Sequence, residues 1–160
     1  MSARQEKASE QEPASGKWGD DGVVSFAVRH VWLGMRAAIE DELAAFKLTV
    51  PQFATLMMLD GSPGLTIAEV ARLCGSTRQS ANEMVAGLEA HGLVERTQHP
   101  TDKRAHQVHA TPAGLEMFAK ARPAVRRREE ELEAGISPEA RRAAREWMAA
   151  LSASCALSEK

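Results

Sequence analysis

Apolar residues recur every three or four positions along most of this 160-residue chain, a spacing that predicts amphipathic helices. The predicted helices cover residues 23–46, 49–59, 66–74, 76–90, 111–136 and 137–151. Two shorter segments, 93–98 and 104–110, are bounded by turn residues and are predicted to form the two strands of a hairpin. The pattern therefore predicts a mainly α-helical protein with one small β-hairpin.

The two central helices carry start and stop signals that can be named. Thr66 followed by Glu69 has the spacing of a capping box, in which each side chain bonds to the backbone of the other residue. Gly75 can adopt the left-handed conformation that ends a helix, and Ser76 with Gln79 repeats the capping-box spacing. Only a few residues therefore separate the two helices, as a helix-turn-helix unit requires.

The outer face of the second of these helices is a candidate DNA-reading surface. Ala81, Val85 and Leu88 occupy its apolar side, which leaves polar side chains facing away. The candidate DNA contacts on the polar side are Ser76, Thr77, Arg78, Gln79, Ser80 and Asn82. Forked Arg, Gln and Asn side chains match base edges in the major groove, and hydroxyl groups can bind phosphate. Any surface helix carries polar residues outward, so an ordinary solvated face is the alternative.

The predicted hairpin has a basic tip formed by Asp102, Lys103 and Arg104. We expect Asp102 to hold the Arg104 guanidinium in place, because an ordered Arg loses less side-chain entropy on entering a narrow minor groove. His106, on the return strand, is a further candidate for a contact near phosphate. The alternative is a surface ion pair in a polar loop. A helix-turn-helix followed by such a hairpin is the plan of a winged helix-turn-helix DNA-binding protein.

The chain resembles the MarR family of bacterial transcriptional regulators. The segments that carry the resemblance are Leu-Thr-Val-Pro-Gln-Phe at 48–53, Leu-Val-Glu-Arg at 93–96, Asp-Lys-Arg at 102–104 and Thr-Pro-Ala-Gly at 111–114. The resemblance implies a homodimer whose outer helices, 23–48 and 112–154, form a helical dimerisation region. It also implies that 49–111 is the winged helix-turn-helix lobe. Residues 1–22 are polar and are expected to be a disordered tail.

The same resemblance implies a small-molecule pocket that draws on the first two helices. Its candidate residues are His30, Trp32, Met35, Phe53 and Met57. The expected ligand is a small aromatic or phenolic effector, and Met side chains adapt readily to ligands of varied shape. Packing in the core is the simpler alternative for Phe53 and Met57.

Charge and composition bear on how the chain would bind DNA and on where in the cell it is expected. A formal net charge of −2 argues against a surface adapted uniformly to nucleic acid, so DNA binding is expected to depend on a few well-placed contacts. Cys74 and Cys155 do not suggest a disulfide framework and fit a reducing cytosol. No apolar run approaches the ~20 residues that span a bilayer, and no signal sequence opens the chain. We therefore expect a cytoplasmic protein that does not bind membranes.

The amount of apolar helix surface predicts a homodimer. Two-fold symmetry would present two reading helices to half-sites about one DNA turn apart, which predicts a palindromic operator in double-stranded DNA. Within the fifth predicted helix, the Arg and Glu residues of 126–131 are spaced for intrahelical ion pairs rather than for a nucleic-acid patch. Pro123 is expected to kink or break that helix.

No motif of an enzyme or of a cofactor site is found, because the chain has no Gly-rich phosphate loop, nucleophile elbow or His-Glu-x-x-His metal helix. His106 and His109 fall on opposite faces of a strand, so no shared metal ion is expected. The favoured function is a sequence-specific repressor that an effector releases from DNA. The alternatives are a winged-helix module for protein association and a redox sensor acting through Cys74, although Cys74 closes an apolar helix and packing is the simpler role.

Overall fold

The structure, a computed structural model, describes residues 23–101 and 105–157. The chain divides between Gly34 and Met35 into two units. In the first unit, the described residues are 23–34, and they contain the first half of helix α1 (Val24–Ala44). Their large apolar side chains, among them Phe26 and Trp32, are exposed.

The second unit contains the end of α1 and the helices and strands that follow it. These are α2 (Val50–Gly61), β1 (Leu65–Thr66), α3 (Ile67–Leu73), α4 (Arg78–Ala90), β2 (Val94–Gln98), β3 (His106–Ala110), α5 (Pro112–Leu132) and α6 (Pro138–Leu157). The fold class is therefore confirmed: the protein is mainly helical and carries a small antiparallel sheet. None of the helices in the described ranges is long and apolar enough to cross a membrane.

The sheet contains one strand that the sequence did not predict. In the described residues its order is β1-β3-β2, with all pairs antiparallel. β1 pairs Leu65 with Val108 and Thr66 with Gln107. Two residues are too few for an alternating pattern, so β1 left no signal in the sequence. The return strand begins at His106 rather than at Arg104, which lies outside the described residues.

Side chains from the helices and from the sheet share one hydrophobic core in the second unit. The deepest members are Leu43, Leu56, Val70, Val85, Leu88 and Val108. Helix α4 packs against α2 and α3 and contributes Ala81 as well as two of these residues. Burying that side of α4 fixes which of its residues face solvent.

Most of the predicted helix starts are confirmed. Capping boxes join Thr49 to Gln52 and Thr66 to Glu69. Thr111 caps α5, and its hydroxyl also donates to the Gly92 carbonyl at 2.6 Å, just beyond the end of α4. These caps connect residues a few positions apart, which is why the sequence alone reveals them.

The predicted start of α4 at Ser76 and Gln79 is wrong by one residue. Thr77 is the N-cap, with an extended backbone, and its Oγ1 accepts from the Ser80 N–H at 3.1 Å. Gly75 has a φ of +59°, as expected for the turn. Both Ser76 and Thr77 can cap a helix, so residue type did not separate them. The extended backbone conformation at Thr77 identifies this residue as the N-cap.

Three further expectations are corrected. Helix α5 runs through Pro123 without the expected break, while a kink at this position stays a prediction. It ends at Leu132, so Ile136 lies in the turn before α6. Met57, for which a core position was the simplest expectation, is 50% exposed on α2.

The charged run 126–131 forms the intrahelical pairs that its spacing predicted and one pair that it did not. Glu131 pairs with Arg128 at 2.9 Å and with Arg127 at 3.8 Å. Arg127 Nη2 also lies 2.8 Å from Glu42 Oε2 near the end of α1. Arg127, Arg128 and Glu131 of this run are therefore engaged in ion pairs within the chain, and one of these pairs links two helices.

Candidate nucleic-acid interface

Helix α4 presents its polar side to solvent as the sequence predicted. The candidate residues exposed at its start and along its outer face are Ser76, Thr77, Arg78, Gln79, Ser80 and Asn82. The opposite side is held by Ala81, Val85 and Leu88, which are at most 1% exposed. Because three adjacent turns of the helix are buried on one side, its orientation in the unit is fixed.

An open groove of about 680 Å³ lies between α4, the start of α3 and the sheet. Helix α4 lines it with Arg78, Gln79 and Asn82, and the sheet side contributes Arg96 and His106. The structure thus brings together four of the residues that the sequence proposed for DNA contact. Asp102, Lys103 and Arg104 lie outside the described residues, so the predicted wing tip stays a prediction.

Arg96 in this groove is a residue that the sequence analysis did not identify as a site. Its Nη1 donates to Asn82 Oδ1 at 2.8 Å, and its Nη2 donates to the Asn82 carbonyl oxygen at 3.2 Å. Its Nε lies 3.1 Å from a carboxylate oxygen of Glu89. The guanidinium therefore ties strand β2 to two residues of α4 that lie about two helical turns apart. Val94 is buried and side chains alternate along a strand, so the position of Arg96 two residues later was the available signal.

The exposed residues of α4 also bond to one another. Gln79 Nε2 donates to Glu83 Oε1 at 3.2 Å, one helical turn away. At the start of the helix, the Thr77 hydroxyl donates to the Ser80 hydroxyl at 3.0 Å. These pairs are exposed, and such contacts break at small cost when a better partner arrives. They do not obstruct binding at this face.

The histidines near the sheet do not assemble a metal site. His106 is exposed and His109 is half-buried, on the same strand. Among the described residues no group of three His, Cys, Asp or Glu side chains is placed to hold a metal ion.

Cys74, half-buried beyond the end of α3, contacts Thr55 of α2. Its Sγ lies 3.7 Å from Thr55 Oγ1, while that hydroxyl lies 2.8 Å from the Pro51 carbonyl. A threonine hydroxyl has one proton, and the short bond to Pro51 takes it, so the Cys74 thiol is the donor to Thr55. The thiol is a packed hydrogen-bond donor in this structure. Cys155 is exposed on α6.

The candidate effector residues have different surroundings. In the first unit, His30 and Trp32 are exposed. In the second unit, Met35 is half-buried and Met57 is exposed. Phe53 packs in the core with its ring centroid 5.4 Å from that of Phe118. Its ring therefore has a structural role whether or not a ligand binds nearby.

A helix-turn-helix whose second helix faces a groove beside an antiparallel hairpin defines a winged helix-turn-helix DNA-binding protein. Comparison with known proteins narrows this class. A sequence profile of the MarR family matches residues 46–105. The HTH-type transcriptional repressor Rv2887 of Mycobacterium tuberculosis is 32% identical over 107 residues, which cover 67% of this chain and 77% of that protein. The chain belongs to the MarR family of transcriptional regulators.

Solved structures agree with this assignment. The transcriptional repressor CouR, bound to a 23-mer DNA duplex, superposes with a TM-score of 0.75 at 28% identity and covers 88% of this chain and 99% of its own. Rv2887 of Mycobacterium tuberculosis in complex with salicylic acid superposes with a TM-score of 0.70 at 28% identity, covering 82% and 98% of the two chains. The fold is thus shared over most of the chain.

Proposed function

We propose that this protein is a transcriptional repressor that binds a palindromic operator as a homodimer and is released by a small aromatic or phenolic effector. The observation that carries the proposal is the groove in which Arg78, Gln79 and Asn82 of α4 lie together with His106 of β3. The backbone of Arg78, Gln79 and Asn82 belongs to a capped helix whose other side is buried, so the positions from which these side chains reach out are fixed before DNA arrives. Preorganised groups lose less entropy on binding.

The outer face of α4 has the chemistry of a major-groove reader. Arg78 can bind guanine O6 and N7, and amide side chains such as Gln79 match adenine. The hydroxyls of Ser76 and Ser80 are small enough to let a phosphate approach the helix start. We propose that Lys103 and Arg104 add contacts from the wing tip, with Asp102 orienting Arg104. CouR, which shares the fold, was solved on a DNA duplex.

Exposed apolar side chains support a homodimer. Trp147, Met148 and Leu151 form a stripe on α6 and are each more than 40% exposed. Large contiguous apolar surfaces on a protein usually mark an interface with another chain. A two-fold axis would place two α4 helices about one DNA turn apart, which is why we propose a palindromic operator.

The effector part of the proposal is supported by Rv2887, which was solved with salicylic acid and with p-aminosalicylic acid. A ligand releases a repressor only if it binds the DNA-free state more tightly than the DNA-bound state. We therefore expect salicylate to weaken operator binding without competing for the groove beside α4.

The first experiment is binding of the purified protein to the DNA upstream of its own gene, by gel shift and footprinting at several salt concentrations, because affinity depends steeply on salt. A protected palindrome is the expected result. Arg78→Ala and Gln79→Ala should each lower operator affinity by about ten-fold or more. Arg142→Ala, which removes a charge from an exposed position on α6, is the matched control and should bind as the wild type does.

Two results would contradict the proposal. If selection of bound sequences from random duplexes returns no preferred site, the winged unit does not read sequence. If Arg78→Ala and Gln79→Ala bind DNA normally but lose a protein partner, the face serves protein association instead.

The effector is tested on the bound complex. Salicylate added to the protein–operator complex should release DNA, whereas acetate at the same ionic strength should not, because it has no aromatic ring. Failure of salicylate and related phenolic acids to change affinity at millimolar concentration would remove the effector from the proposal and leave DNA recognition in place.

A further inference from the structure

We infer that Arg96 is a positioning residue that sets the base preference of Asn82, so that Asn82 reads a hydrogen-bond acceptor in the DNA. The inference rests on the proposed function, since it concerns the same groove. What it adds is a specificity-determining contact, in which Arg96 of strand β2 holds the Asn82 side chain of the reading helix α4. The residues that carry it are Asn82, Glu89 and Arg96.

The placement of Arg96 follows from the alternation of β2. Val94 and Arg96 lie on one face of the strand, and Val94 is 2% exposed against the core. That face is directed toward α4, so the Arg96 side chain crosses directly to the helix. Glu95, between them, is exposed on the other face. Arg96 is consequently half-buried, although Arg usually remains at the surface.

The Arg96 guanidinium is already engaged within the protein, although each of its terminal nitrogens keeps an N–H that no bond to Asn82 uses. One terminal nitrogen bonds to the Asn82 side-chain oxygen at 2.8 Å, and the other bonds to the Asn82 carbonyl at 3.2 Å. The third nitrogen, Nε, makes no hydrogen bond but lies 3.1 Å from the Glu89 carboxylate, which balances the charge. A partnered Arg of this kind contributes little to the salt dependence of DNA binding, since it releases no counterion from the phosphates.

The contact also decides which end of the Asn82 amide faces Arg96. Arginine can only donate hydrogen bonds, so the atom of the amide that meets it must be the oxygen. The NH₂ group then remains as the free end of an exposed side chain beside the groove. Free NH₂ donors pair with acceptors on the major-groove edge, which are N7 and O6 of guanine, N7 of adenine and O4 of thymine. Without Arg96 the amide can turn over and present either end.

The test compares variants on the operator found for the wild type and on all its single-base substitutions, at three salt concentrations, with thermal unfolding measured in parallel. Arg96→Met keeps the length of the side chain but removes its donors. We expect it to lose about ten-fold in discrimination at one base pair of each half-site. Its preference at the other positions and its salt slope should match the wild type.

Asn82→Asp is the complementary variant. The carboxylate still accepts from Arg96, so the link between β2 and α4 stays, but the donor toward DNA is gone. We expect Asn82→Asp to lose the preference at the same base pair as Arg96→Met. Arg96→Lys, which can donate to the amide oxygen but cannot span both Asn82 oxygens, should restore part of it. Arg142→Met on α6 is the control for loss of an exposed charge.

The outcomes separate the inference from the proposed function. If the wild type shows no sequence preference, the proposed function fails. If the wild type has an operator and Arg96→Met keeps every single-base preference, the inference is overturned and the proposed function stands. A uniform loss over all sequences, with the salt slope reduced by about one per protomer, would make Arg96 a phosphate contact and would also overturn it. Should Arg96→Met not fold, unchanged preference in Asn82→Asp would overturn the inference.

Discussion

Gly114, the third residue of α5, lies against the backbone of Leu93 so closely that a β-carbon at Gly114 would overlap the Leu93 carbonyl oxygen. The same carbonyl accepts from the Thr111 N–H at 3.1 Å. The other neighbour of that β-carbon would be Leu56 Cδ2 at 3.3 Å, a side chain that is fully buried. A glycine is therefore required where α5 starts beside the sheet.

We expect Gly114→Ala to lower the free energy of unfolding by about 3 kcal/mol, because backbone must move to admit the methyl group. Urea unfolding at neutral pH measures this loss. Gly61→Ala, where a β-carbon would meet nothing within 4 Å, is the control and should change stability by less than about 1 kcal/mol. Equal stability of the two variants would mean that the junction is looser than the structure shows.

The identity of the α4 cap gives a second prediction. Thr77→Ala removes the acceptor for the Ser80 N–H and should lower the free energy of unfolding by about 1 kcal/mol. Ser76→Ala, one residue earlier, should leave it within about 0.5 kcal/mol of the wild type. Thermal or urea unfolding of both proteins in parallel decides between the two residues. If Ser76→Ala loses more stability than Thr77→Ala, Ser76 is the N-cap, as the sequence predicted.

Glu69 gives a pH dependence with a defined sign. Hydrogen bonds from the Thr66 backbone and from its hydroxyl hold the pKa of Glu69 below its usual value. A carboxyl whose pKa is lower in the folded state stabilises the fold above its unfolded pKa, which is about 4.3, and loses that contribution as the pH falls through the folded pKa. The stability of the wild type should thus fall more between pH 6 and pH 3, a range of about three units, than that of Glu69→Gln.

Unfolding by urea at a series of pH values measures this difference. Glu69→Gln keeps an acceptor for the Thr66 N–H, so the comparison isolates the titration from loss of the cap. Parallel curves for the two proteins would show that Glu69 does not contribute to acid sensitivity.

The exposed stripe on α6 predicts the oligomeric state. Met148→Glu places a charge in a surface that we propose is buried in the dimer, where an unpaired charge is costly. Sedimentation should show a monomer at concentrations at which the wild type is a dimer. Arg142→Glu places the same side chain on the other side of α6, with a charge change of two units instead of one, and should still leave the dimer intact. A wild-type protein that is monomeric at all concentrations would contradict the proposed homodimer.

The sequence predicted the elements whose signals are local. The Thr49–Gln52 and Thr66–Glu69 boxes and the Thr111 cap each connect residues three apart, so they could be found without the fold. The burial of Ala81, Val85 and Leu88 likewise follows from helical periodicity alone. These features are sufficient to place the outer face of α4.

Features that depend on tertiary packing could not be predicted. Strand β1 exists only because Leu65 and Thr66 pair with β3, more than forty residues later in the chain by their numbering. The bond between Arg96 and Asn82 joins residues 14 apart and requires the angle at which β2 meets α4. Neither the β1 pairing nor the Arg96–Asn82 bond produces a local sequence pattern from which it could be predicted. Where two adjacent residues offer the same chemistry, as Ser76 and Thr77 do, the backbone makes the choice.

Helix α5 begins beside the turn that follows α4, since Thr111 donates hydrogen bonds to the carbonyl groups of both Gly92 and Leu93. Its 21 residues make a rod about 30 Å long, and a tilt of about 5° about this junction would move the far end by roughly 3 Å. Phe118, Ala121 and Val125 along the rod are buried in the same core as Ala81, Val85 and Leu88 of α4. A tilt of α5 would therefore also have to move the side chains against which the reading helix packs.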